Sequence, residues 1–120
     1  MPNGRMNKSI AGSHILMLLS AVDHKFSVAE DRIIADYIAE NFPIHVSLDR
    51  ELEKISNLNE EEYMVHFQKA MDDFYEDSTE KERLHLIDMA IKLSKATRPI
   101  TKEENIYLTE LYNEWTETVE

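Results

Sequence analysis

Apolar residues recur along this chain every three or four positions, not every second one, and polar stretches separate the runs that keep this spacing. That period belongs to amphipathic helices. A first helix is predicted over about Lys8 to Val22. Its row Ile15, Leu16, Met17, Leu18, Leu19 and Val22 is apolar around most of the circumference, so it belongs at the centre of the domain. A second helix starts after Ser27, with Glu30 three residues on in a capping-box pattern. It presents Ile33, Ile34, Tyr37 and Ile38 inward and ends near Asn41, because Pro43 disfavours helical geometry at Phe42.

Two middle helices follow, about Leu48–Ser56 and Glu60–Glu76, with Ser47 and Asn59 as candidate caps. Leu48, Leu52 and Ile55 form the apolar face of one. Tyr63, Met64, Phe67, Ala70, Met71 and Phe74 form that of the other. A fifth helix starts after Ser78 or Thr79, with Glu82 completing a box on Thr79, and runs to about Ala96. A sixth starts after Thr101 with Glu104 in the matching place and turns Ile106, Tyr107, Leu111 and Trp115 inward. The connections are short, so neighbours run antiparallel. The expectation is an all-α, compact bundle of about six or seven helices.

One local pattern occurs twice. Ser20-Ala21-Val22-Asp23-His24-Lys25-Phe26-Ser27-Val28-Ala29-Glu30 returns as Ser94-Lys95-Ala96-Thr97-Arg98-Pro99-Ile100-Thr101-Lys102-Glu103-Glu104, at an offset of 74 residues, the distance from Asp23 to Thr97. In both, an apolar helix enters an elbow, a bulky apolar residue follows, and a hydroxyl residue precedes a glutamate by three. The chain therefore reads as one domain over 1–120, made of two pseudo-repeated helix–elbow–helix units, about 8–42 and 79–117, joined by helices at about 47–77.

Composition narrows the function. Lys and Arg total 13 against 24 Asp and Glu, a formal charge of −11, which opposes binding to nucleic acid or to anionic membrane surfaces. The absence of cysteine removes disulfides, thiolate metal sites and thiol nucleophiles, in keeping with a cytoplasmic protein. Arg5 to Val22 has the outline of a secretory signal. Ile15–Val22, however, fills the place that Ile87–Lys95 holds in the second unit, so its removal would delete a core helix. No apolar stretch reaches the roughly 20 residues of a membrane span. Neither a nucleophile motif nor a glycine-rich phosphate loop is present, and the expectation is a non-enzymatic protein.

The elbows carry the candidate chemistry. They are not EF-hands, because Leu19 and Ala21 stand where the first loop carboxylates belong, and Lys95 and Thr97 stand there in the second copy. The pattern resembles the TerB-like family associated with tellurite resistance, whose units read Ala-Asp-Gly-x-Ile/Val-Ser-x-Glu-Glu between two helices. The resemblance implies a small all-helical cytoplasmic domain that acts in stress response as a binding module for another protein. It also implies elbow acids that hold a divalent metal. By position these are Asp23 and Glu30 in the first unit and Glu103 and Glu104 in the second. Calcium, zinc and manganese are not distinguished. His24 replaces the elbow glycine, Ala29 the first glutamate of the pair, and Thr97-Arg98 the second Asp-Gly, so ion chemistry rests mainly on Asp23 and Glu30. The alternative is an interaction scaffold with purely structural elbows and no metal, since Glu30 and Glu104 are also capping-box glutamates.

The five histidines, His14, His24, His45, His66 and His85, form no dense ligand cluster in the sequence. Glu62 with His66 and His85 with Asp88 share helix faces, but as two mismatched halves of a di-metal motif. The acidic run Asp72, Asp73, Glu76, Asp77 and Glu80 reads as a solvated surface. Met64, Met71 and Tyr75 read as core first and an adaptable partner surface second.

Overall fold

The computed structural model describes residues 6–22, 28–41, 48–96 and 99–116. Among them are six helices and no strand: α1 (Lys8–Ala21), α2 (Val28–Asn41), α3 (Leu48–Ser56), α4 (Glu60–Asp77), α5 (Glu80–Ser94) and α6 (Lys102–Thr116). The predicted boundaries agree with these to within two residues wherever both ends were assigned. Ser27 and Ser47, the expected caps of α2 and α3, lie outside the described residues.

α1 occupies the centre. Every residue from Ala11 to Val22 is buried, and α2, α3, α4 and α5 all pack against it, α4 most extensively. A helix apolar all round has no face suited to water, so the others enclose it. Ile15, Leu16, Leu18 and Leu19 meet Ile34 and Tyr37 from α2, Ile55 from α3, Phe67, Ala70, Met71 and Phe74 from α4, and Leu86, Ala90 and Leu93 from α5 in one core. α6 closes it with Leu108, Leu111 and Trp115, whose ring stacks on Phe74 at 5.2 Å between centroids. The Cα radius of gyration, 13.3 Å, matches the about 13–14 Å expected for a folded domain of this length.

The inward face of α6 differs from the one the sequence pattern predicts. Ile106 is 54% exposed, while Glu104, Leu108, Leu111 and Trp115 are buried. Steps of four, three and four residues keep that set on one side of a 3.6-residue helix, and Ile106 falls off it. Met71 belongs to the core, whereas Tyr75 is exposed and lies under the Arg83 guanidinium, 4.0 Å from the ring centroid.

Helix ends follow their local chemistry. Thr79 accepts from the Glu82 amide at 3.2 Å while its own N–H donates to the Glu82 carboxylate at 2.9 Å, the reciprocal box expected there. The Asn59 N–H donates to Glu62 at 2.7 Å. Asn7 caps α1 by accepting from the Ile10 amide at 2.9 Å.

Candidate functional site

α1, α3 and α4 each direct one ionisable side chain to a common point inside the bundle. His14 Nε2 lies 2.7 Å from Glu51 Oε1, and His14 Nδ1 lies 2.8 Å from His66 Nε2. His14 and Glu51 are 3% and 4% exposed, and His66 is half-buried. Glu51 reaches inward because it shares one helical face with Leu52 and Ile55. On the same principle His66 borders the face that carries Tyr63, Phe67 and Ala70.

With both rings neutral and Glu51 ionised, the contacts dictate where the protons sit. A carboxylate offers only lone pairs, so His14 Nε2 carries the proton donated to Glu51. His14 Nδ1 is then an acceptor and takes the His66 Nε2–H. The Lys54 ammonium stands 3.4 Å from Glu51 on the solvent side. Burial holds His14 below the usual histidine range, against the raising effects of its bond to Glu51 and of that residue's charge, with Lys54 lowering it further. Burial also lowers His66, helped by positive charge on His14 and Lys69 and opposed by Asp73.

This arrangement can store and pass protons. Glu51 and His66 contact opposite nitrogens of one ring, so the three do not converge on a single ion. Among the described residues, no group of three or more His, Asp or Glu side chains is placed to hold a metal.

The four residues expected from the sequence are placed differently. Asp23 lies outside the described residues, and of Glu30 only the backbone, within α2, is described. Glu103 is exposed. Glu104 is 1% exposed, accepts from the Thr101 N–H at 2.9 Å, and donates its own amide to the Thr101 hydroxyl at 3.1 Å. One of its carboxylate oxygens is therefore engaged in the capping box.

The structure also revises the histidine and acidic-run readings. His14 and His66, 52 residues apart, form a contact that spacing along one helix cannot reveal. Two signals pointed to it: a histidine inside the most apolar helix, and a glutamate on the apolar face of α3. Glu62 is engaged at the Asn59 cap, and His85 stacks on Tyr37 at 5.7 Å. His24 and His45 lie outside the described residues. Two acids at the end of α4 are more than a solvated surface. Asp73 accepts from the Met6 amide at 3.0 Å and from Lys69 at 3.1 Å, and Asp77 accepts from the Lys8 amide at 3.0 Å. Asp77 satisfies an amide in the first turn of α1, where helical N–H groups have no partner within the helix, and Asp73 holds the residue just before the Asn7 cap.

No protein-family model, curated protein or solved structure matches the chain. Among the described residues no helix is long and apolar enough to cross a membrane.

Proposed function

We propose that this chain is a non-enzymatic, TerB-like binding module, made of two related helix–elbow–helix units and engaging another protein in a cytoplasmic stress response. The observation that carries this reading is a likeness of environment at the 74-residue offset. Leu19 and Leu93, Ser20 and Ser94, Ile34 and Leu108, and Tyr37 and Leu111 are buried in both copies. The two serine hydroxyls are alike even in lacking a hydrogen-bond partner. The likeness is partial: Leu18, Ala21 and Ile38 are buried where their counterparts Lys92, Lys95 and Tyr112 are exposed, so it supports a shared helix–elbow–helix plan and not an identical packing. The Thr101–Glu104 box favours a structural second elbow, leaving Asp23 and Glu30 as the place for any divalent cation.

Calorimetric titration with calcium, zinc and manganese tests the cation part. Binding heat lost in Asp23→Ala but kept in Glu103→Ala supports a first-elbow site. No heat with any of the three, together with an Asp23→Ala change confined to stability, removes the site and leaves the scaffold reading. The repeat itself is tested by an experimental structure. The reading requires residues 8–41 to superpose on 82–115, and a different crossing of the two helix pairs contradicts it.

A further inference from the structure

The Glu51–His14–His66 chain has room for a limited number of protons. With both rings neutral, one proton lies between His14 Nδ1 and His66 Nε2, 2.8 Å apart, and another between His14 Nε2 and Glu51, 2.7 Å apart. A first extra proton is accommodated on the His66 nitrogen that faces away from His14, leaving both contacts intact. A second would make both rings doubly protonated. Two N–H groups would then point at each other across 2.8 Å, with neither nitrogen left to accept.

We propose that these three side chains form a one-proton latch that holds α1, α3 and α4 together. The latch is closed while the ring pair carries at most one extra proton and is released by the second, so mild acid opens this seam while the rest of the bundle stays folded. This does not depend on the elbows or on the functional reading above.

The surroundings are built for that limit. From α3 the rings face Glu51 and Lys54, and from α4 they face Lys69 and Asp73. Burial disfavours an added proton on either ring; the two carboxylates oppose that effect, and the two ammonium groups add to it. α5, also packed on α1, turns Glu82 to Lys8 at 2.8 Å and His85 to the Tyr37 ring of α2, and α6 turns Glu110 to Gln68 of α4 at 3.0 Å. Lowered affinity for protons at both histidines agrees with this. The half-buried His66 is the end through which solvent protons arrive.

Hydrogen exchange read by mass spectrometry at about pH 7 and about pH 5, corrected for intrinsic rates, tests the latch across the range in which histidines titrate. In the wild-type chain, amides of α1 and α3 should lose protection by roughly tenfold or more at the lower pH, with α5 and α6 little changed. His66→Gln keeps an N–H donor for His14 but cannot take the extra proton, and should suppress most of that loss. His85→Gln should leave it as in the wild type. An unchanged α1 and α3 at low pH, an equal loss in every helix, or an undiminished loss in His66→Gln overturns the proposal. Should His66→Gln fail to fold, histidine-ring NMR titration of the wild type decides. The second ring should become charged only as α1 loses protection, and two charged rings in a fully protected bundle overturn the latch.

Discussion

His14 is an ionisable ring set in the most apolar helix of the molecule, and its burial is tolerable because both ring nitrogens are bonded. Replacing it with leucine keeps much of the volume but leaves the buried Glu51 carboxylate without its ring donor. Removing the hydrogen-bond partner of a buried group costs about 1–3 kcal/mol, and urea unfolding of His14→Leu near neutral pH should show a loss of that order. Both rings bind protons less readily in the fold than a free histidine does near its usual value of about 6.5. Stability is therefore full above that value and falls as pH drops through it towards the depressed folded values, because the unfolded chain takes up protons that the folded chain refuses. The slope should approach about 1.4 kcal/mol per pH unit for each ring that stays neutral, measurable by urea titration at stepped pH. A flat profile between pH values of about 6.5 and 5 would contradict this.

The helix termini explain where many of the charges go. Glu104→Ala removes a capping partner and should destabilise the fold by about 0.5–2 kcal/mol, whereas the exposed neighbour change Glu103→Ala should stay within about 0.5 kcal/mol. Thermal melts of the two variants make the comparison. Asp73→Ala frees the Met6 amide and Lys69 together, and its cost should exceed that of exposed Asp72→Ala by about 1 kcal/mol or more. The helices were legible because apolar spacing, capping boxes and Pro43 act locally, and each left a mark within a few residues. Ile106 was assigned to the wrong face because an isoleucine beside Tyr107 suits an apolar stripe by chemistry, while the helical angle sets the inward row at Glu104, Leu108, Leu111 and Trp115. Asp73 and Asp77 were read as surface because the amides they serve lie nearly seventy residues away.

In the molecule as a whole, the polar centre was the least legible part. α1 and the consecutive pair α3 and α4 supply His14, Glu51 and His66, and the enclosure of α1 brings them together. The elbow acids drew notice because they recur in a short pattern, yet Glu104 serves a helix end. The most deeply buried contact between a basic side chain and a carboxylate among the described residues, His14 with Glu51, joins residues with no shared motif. An acidic chain of formal charge −11 thus places a buried glutamate and histidine, with a half-buried second histidine, at the junction of its central helix with two others, where their proton count bears on the packing of that seam. The central claim is that His14 is a bridging ring, protonated on Nε2 towards Glu51 and accepting from His66 on Nδ1. Long-range proton–nitrogen NMR of the histidine rings near neutral pH tests it most directly. The account predicts for His14 a neutral ring with the proton on Nε2 and an unprotonated, hydrogen-bonded Nδ1 that persists below the usual histidine range. A His14 ring carrying its proton on Nδ1, or titrating like a free histidine in the folded protein, would contradict it.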